Sequence, residues 1–393
     1  MTRRPDPTGR PLFEIADVVR RYRSELEAEQ PLTIIQRRVL SAIASCRTAA
    51  LGGYLDLCPR CGFEHPAYNS CRNRHCPKCQ ALVQEKWIAA RSERVLPVRH
   101  FHVVFTLPSE LRSLAKYRPR EIFGALFAAT SQTLLELGHT HFRACLGVTM
   151  VLHTWTRDLR FHPHVHALVT AGGLDLGMGR WIDSSRKFLF LVDIMGELLR
   201  GKMMAALSEL SARGRFEGFD EFRDPLGFAT WMSRLARRHW IVFAKKPFRR
   251  VEHLLRYLGR YTHRVAISNS RLLAVTDAAI TFRTKNGKSA SLAPVEFLRR
   301  FLQHVLPDGF HKIRHTGLYA STRALDACAI ARAQLRVRSE AQAVALPPSW
   351  QERLRQLTGV DVLHCPRCGA RLEHRPVPSP TCLPRAPPER TAA

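Results

Sequence analysis

The stretch that most limits what this chain can fold into is residues 159–173, LRFHPHVHALVTAGG. Histidine stands at every second position, 162, 164 and 166, and an apolar run follows directly. In a strand, alternate side chains share a face. His164 and His166 therefore project together, about 7 Å apart at Cβ, while Val165 points the other way, toward a core. His162 joins them if the chain is already extended there. Pro163 cannot donate to a ladder and marks an edge or a strand start. A lone histidine is usually a satisfied polar residue. Alternating ones beside an apolar strand suit a divalent ion, whose open positions can take phosphate oxygen. The third ligand is His162 or a histidine from a neighbouring element: His102, His153 or His253.

The chain has 11 cysteines. Its opening residues, MTRRPDPTGR, lead into no apolar segment of the kind a secretory signal needs, and no run of about 18 apolar residues occurs. The expectation is a reducing, cytoplasmic setting without membrane contact, where clustered cysteines mean metal rather than disulfides. Cys58 and Cys61 form one CxxC knuckle, Cys76 and Cys79 a second, with fourteen residues between the pairs. Four thiolates of this kind can close a tetrahedral structural Zn²⁺ site. Cys71 and His75 can exchange into that site or begin another, with Cys46 and His65 nearby. Cys365 and Cys368, in HCPRCGARLEH, make a weaker lone knuckle that His364, His374 or Cys382 could complete. Arg72, Arg74 and Lys78 on the zinc-braced loop are expected to contact phosphate.

The charge balance names the partner. Lys and Arg number 61 against 33 Asp and Glu, a formal net charge of +28. A folded chain with that surplus usually meets a polyanion, and nucleic acid is the first candidate. Residues 253–264 read HLLRYLGRYTHR. Tyr257 and Tyr261 share a helix face, with Arg256, Arg260 and Arg264 on a neighbouring one. Taken alone, this is a packed aromatic pair beside a solvated basic face. Beside a metal site on a basic chain, it suggests a tyrosine hydroxyl attacking a phosphodiester. A phenol of pKa about 10 is a poor nucleophile, and a nearby cation stabilises the developing phenolate and polarises the phosphate.

Mixed strands and helices predict an α+β fold. Helices are expected over 11–29, 33–44, 119–137, 193–213, 226–239 and 251–262. Strands are expected over 101–108, 145–156 and from the histidines onward, with a hairpin joining the last two. The expected division is a helical segment (1–45), a zinc-binding domain with its connecting helix (46–96), a catalytic domain (97–340), and a C-terminal region (341–393). That last region holds the lone knuckle and a disordered Pro-rich tail beginning at RPVPSP.

Five stretches together resemble two-tyrosine HUH transposases of the rolling-circle insertion-sequence class, the IS91 family. NSCRNRHCPKCQ resembles the zinc-binding domain of that family and FTLP its first motif. FHPHVHALVTAGG carries the HUH motif, YLGRYTHRVAISNSRL the YxxxY motif, and EFLRRFLQHVLPDGFHKIRHTGLYA a further block. The resemblance implies an HUH core, a central antiparallel sheet flanked by helices and preceded by a small zinc-binding domain. The histidines would lie on a middle strand and the tyrosines on a facing helix. It implies cleavage of single-stranded DNA at transposon ends and transfer to a target site, with Mg²⁺ or Mn²⁺ at His164 and His166 and with Tyr257 and Tyr261 as nucleophiles. No GxxxxGK[ST] motif occurs, so strand separation would fall to host replication or a helicase. Three other readings use the same features: a plasmid replication initiator or relaxase, a zinc-dependent DNA-binding protein without chemistry, and a zinc hydrolase. For the hydrolase, Asp158 is the only acid close in sequence.

Overall fold

The computed structural model describes residues 11–92, 94–184, 189–222, 224–248, 259, 266–320, 325–336, 349, 351–352, 354–355 and 361–379. The chain opens with α1 (Ile15–Glu29) and α2 (Ile34–Ser45), then the hairpin β1 (Gly53–Leu57) and β2 (Glu64–Tyr68), then α3 (Ala81–Ser92). Next come β3 (His100–Thr106), α4 (Arg112–Tyr117), α5 (Pro119–Phe142), β4 (Cys145–Trp155), β5 (Phe161–Asp175) and β6 (Arg180–Asp183). They are followed by α6 (Val192–Ala212), α7 (Pro225–Ala236) and β7 (Val242–Phe248). Three short strands, β8 (Leu272–Val275), β9 (Ile280–Arg283) and β10 (Ser289–Leu292), precede α8 (Pro294–Leu302). The remaining elements are β11 (Ile313–Gly317), α9 (Leu325–Arg336) and β12 (Glu373–Val377). The fold is α+β.

The central sheet runs β11–β4–β5–β3–β7, with β6 pairing the far end of β5, and every pairing is antiparallel. The histidine strand β5 thus lies in the middle, flanked on both sides. One face of the sheet, with Val103, Phe105, Leu152, Val165 and Val169, packs beneath α5, α6 and α7 in the main apolar core. The other face carries the histidines. It is covered in part by α3, whose Trp87 packs on Val151 and Leu168.

Pro163 sits in this middle strand rather than at an edge, and the sheet accommodates it with a bulge. His153 pairs with His164, and Trp155 with Phe161. Residues 162 and 163 therefore face the single residue 154, and the missing N–H falls where the ladder is already irregular. The Pro163 carbonyl still accepts from Leu107 N at 3.0 Å.

A second core joins distant parts of the sequence. Ile15, Val19 and Leu40 pack with Phe282, Phe297 and Phe301, so α1 and α2 share one interior with the β8–β9–β10 sheet and α8. The Ile15 N–H donates to Asn269 Oδ1 at 3.1 Å, and the Tyr22 hydroxyl to the Thr276 carbonyl at 2.9 Å. The C-terminal region also returns to the start of the chain. β12 pairs with β1, from Gly53 opposite Val377 to Leu57 opposite Glu373. Residues 375–377, expected to open a disordered tail, are therefore strand.

His304 is buried between Thr154 Oγ1 (3.1 Å from Nδ1) and the Leu159 carbonyl (3.3 Å from Nε2). Burial pushes its pKa from 6.5 down to about 3. The unfolded chain takes up a proton that the folded chain refuses. The His304 contribution is therefore complete above pH 6.5 and declines as pH falls toward the folded value. Lowering the pH from 7 to 5 should cost about 2 kcal/mol through this residue. His304→Gln should remove that share of the pH slope in urea midpoints. An unchanged slope would show that His304 is not the group involved.

Candidate active site

His153 comes from β4, directly across from His164 on β5. Together with His166 they form one group whose ligand atoms all lie within 4.8 Å of one another. Ring centroids are 4.7 Å apart for His164 and His166, and 4.4 Å for His153 and His166. Trp155 stacks on His153 at 4.6 Å and closes that side.

Hydrogen bonds orient each ring. His164 Nδ1 donates to the His162 carbonyl at 2.7 Å, which leaves its Nε2 lone pair free to face a cation. His166 Nδ1 lies 2.7 Å from His102 Nε2, and its Nε2 lies 3.0 Å from His153 Nδ1. His102 therefore stands on the other side of the His166 ring from His153. Burial lowers His164 and His102 to about 4, and His166 well below its ordinary value, with Lys245 adding to the effect at His102 and His166. At neutral pH burial thus favours the uncharged form of His102, His164 and His166, the state a metal ion requires of its imidazole ligands. The three rings thus fit a divalent cation, and among the described residues no carboxylate joins them.

His162 does not join this group. Its ring lies beside His164, with centroids 5.3 Å apart, and its Nδ1 accepts from the Arg112 guanidinium at 3.3 Å. Asp158 is engaged by Arg160 at 2.7 Å and by the Thr156 hydroxyl, and it is not part of the metal-competent group. The cross-strand position of His153 is what a single sequence does not show, because it depends on the β4–β5 register.

Tyr257, Tyr261, Arg256, Arg260, Arg264 and His253 lie outside the described residues. Gly259, midway between the tyrosines, is helical and buried. It stands against Ile88 and Gln84 of α3, so close that a Cβ would come within 2.5 Å of Ile88 Cδ1. α3 is the helix that covers the histidine face.

The cysteines pair differently from the expectation. Cys76 and Cys79 do not meet Cys58 and Cys61. They group with Cys71 and with Cys46, which caps the end of α2. Cys58 and Cys61 face Cys365 and Cys368 instead. A knuckle's spacing fixes the two ligands it supplies, but tertiary packing chooses their partners. Here the β1–β2 hairpin carries the first knuckle away on its turn, while the Arg47 N–H bonds the Asn69 carbonyl and draws the end of α2 to the 71–79 loop. Sγ atoms of Cys71 and Cys79 are 3.7 Å apart. Tetrahedral Zn–S bonds of about 2.3 Å imply about 3.8 Å between sulfurs, whereas a disulfide needs about 2.05 Å.

His75 is not a ligand of either cluster. Its Nδ1 lies 3.1 Å from Asn73 Oδ1, and its Nε2 accepts from Leu306 N at 3.3 Å. Arg74 donates to the carbonyls of Phe310 (2.5 Å) and Pro307 (2.7 Å), and Lys78 pairs with Glu14 at 2.5 Å. These two cations hold the zinc loop to the body of the protein. Arg72 is exposed, with a left-handed backbone of φ 53°.

Comparisons with known proteins converge on one family. The profile described as "Transposase zinc-binding domain" matches residues 18–107, which include Cys46, Cys71, Cys76 and Cys79, and supports structural zinc there. The profile described as "Putative transposase" matches residues 147–326, which include the histidine strand. A Sinorhizobium fredii protein named "Putative transposase y4qJ" is 39% identical over 371 residues, covering 90% of this chain and 92% of its own length. The "Transposase for insertion sequence element IS801" of Pseudomonas savastanoi pv. phaseolicola is 29% identical over 332 residues, covering 81% of this chain and 78% of its own length. No solved structure matches. Among the described residues no helix is long and apolar enough to cross a membrane. This chain belongs to the IS91 family of insertion-sequence transposases.

Proposed function

We propose that the protein cuts single-stranded DNA at the ends of an insertion sequence and transfers the strand through a 5′-phosphotyrosine intermediate, in a rolling-circle mode. The observation that carries this reading is the group His153, His164 and His166 on the sheet face that α3 partly covers, with Gly259, between the two tyrosines in sequence, packed against α3. The net charge of +28 suits the polyanionic substrate.

In this reading, His153 Nδ1, His164 Nε2 and His166 Nε2 hold a divalent cation. A bound Mg²⁺ or Mn²⁺ polarises the scissile phosphate and stabilises the attacking phenolate. The hydroxyl of Tyr257 or Tyr261 loses its proton and its oxygen bonds to phosphorus. The bond from phosphorus to the 3′ oxygen breaks, and that oxygen leaves as a free 3′-OH. The phosphodiester is exchanged rather than hydrolysed, so the energy for rejoining is kept. Two tyrosines allow two successive transfers without release. Host replication or a helicase supplies the single strand. A plasmid initiator or relaxase would share this chemistry, but the zinc-binding domain and the transposase relatives favour transposition.

The test is a denaturing gel of the protein incubated with labelled single-stranded end DNA and a divalent cation. A covalent protein–DNA adduct is expected, and it should vanish when Tyr257→Phe and Tyr261→Phe are combined. An adduct that survives the double substitution would mean another nucleophile. No adduct on either strand, with or without cleavage, would overturn the phosphotyrosine reading.

The donor set also predicts metal preference. Imidazole nitrogen suits Mn²⁺ better than Mg²⁺, which favours oxygen ligands. Half-maximal cleavage should need at least tenfold less Mn²⁺ than Mg²⁺, as read from metal titrations. Equal requirements would point to a carboxylate completing the site.

A further inference from the structure

We propose that Cys58, Cys61, Cys365 and Cys368 bind one zinc ion that clasps the two ends of the chain together as a split ribbon. Cys365 and Cys368 lie beyond both matched segments, so neither profile accounts for them. The four ligand atoms fall within 4.8 Å of one another. Cys58 and Cys368 sulfurs are 3.4 Å apart, and those of Cys61 and Cys365 are 3.6 Å apart. Both distances sit near tetrahedral zinc spacing and far from a sulfur–sulfur bond.

The two half-sites repeat each other. Each reads CPRCG, at 58–62 and at 365–369. In the first, Cys58 N donates to the Phe63 carbonyl at 2.9 Å and Gly62 N to the Cys58 carbonyl at 3.0 Å. In the second, Cys365 N donates to the Ala370 carbonyl at 2.8 Å and Gly369 N to the Cys365 carbonyl at 2.9 Å. Gly62 and Gly369 adopt φ of 66° and 72°, the left-handed conformation each turn needs. Two equivalent knuckles thus face each other and supply two thiolates apiece.

The β1–β12 pairing holds them in place. The apolar support is slight, with Leu372 buried and Phe63 and Ala370 only partly so. So small a core does not hold itself, and metal binding supplies the missing folding energy. The ribbon also forms one wall of a cleft of about 1280 Å³, whose other walls include Gln84 and residues Ser268, Asn269 and Ser270 just past the tyrosine segment.

Zinc content of the purified full-length protein tests this, whether or not the strand-transfer reading holds. With the histidine site removed by His164→Ala, the protein should carry two zinc ions per chain, and the cysteine variants are compared in that background. Cys58→Ser with Cys61→Ser should carry one, and so should Cys365→Ser with Cys368→Ser. All four substitutions together should still leave one, because both pairs serve the same ion. Two ions in the C-terminal double variant, or none in the fourfold variant, would overturn the proposal. Amide exchange gives a second reading. Losing Cys58 and Cys61 should speed exchange at residues 373–377 by at least about tenfold, although they are distant in sequence, and unchanged protection there would count against the clasp. If the variants fail to fold, Co²⁺ titration of the metal-free wild type decides. Two equivalents with the ligand-field bands of tetrahedral thiolate sites are expected, and saturation at one would refute the second site.

Discussion

Replacing His164 with alanine should lower metal-dependent cleavage of single-stranded DNA about a thousandfold, roughly 4 kcal/mol of transition-state stabilisation. Binding of the same DNA should change by less than about threefold, because affinity rests mainly on phosphate contacts elsewhere. The size of the effect follows from the surroundings. His164 is one of three converging donors, and two further imidazoles nearby are engaged elsewhere, His162 with Arg112 and His102 with His166. His153→Ala should cost as much as His164→Ala, and His162→Ala less than about fivefold. Single-turnover rates and metal affinities measured on the three variants give the ranking. A reversed order, with His162 essential and His153 dispensable, would show that the cation sits at the mouth of the strand and not across β4 and β5.

Gly317→Ala should destabilise the protein by about 3 kcal/mol or more. Gly317 has φ of 62°, and a Cβ there would overlap the carbonyl oxygen of Leu146. That carbonyl accepts from Leu318 N at 3.0 Å, so it cannot yield without loosening the pairing of β11 with β4. The loss should appear in urea denaturation and should extend to metal affinity, because β4 carries His153 and β11 braces its outer side. A change below about 0.5 kcal/mol would mean that the sheet edge can shift to make room.

What could be read from the sequence follows the range of the interactions. Alternation along β5 is local, so the shared face of His164 and His166 and the inward turn of Val165 are legible from residues 161–173 alone. The choice among His102, His153 and His253 is not, because it depends on which residue of β4 lies opposite His164. Pro163 was the local sign of the bulge beside His162. The cysteines divide in the same way. Each CxxC turn is local and legible, but the partner of the first knuckle arrives through β12. The repeated CPRCG was the one signal that could have joined them. Arg74 and Lys78 look like free cations in the sequence because their acceptors, the carbonyls at 307 and 310 and the Glu14 carboxylate, are remote or lie in another element.

The pairing of β1 with β12 sets an order of events during synthesis. The ribosome must add about 300 residues after Cys61 before Cys365 exists. At about 5–20 residues per second this takes roughly 15–60 s. Throughout that interval β1 has only β2 beside it and presents an open strand edge, and the dithiol at 58 and 61 has half of its final partners. The first knuckle made thus waits long to be completed, and the nascent chain must keep two reduced thiols and a bare edge out of trouble until residues 365–377 emerge.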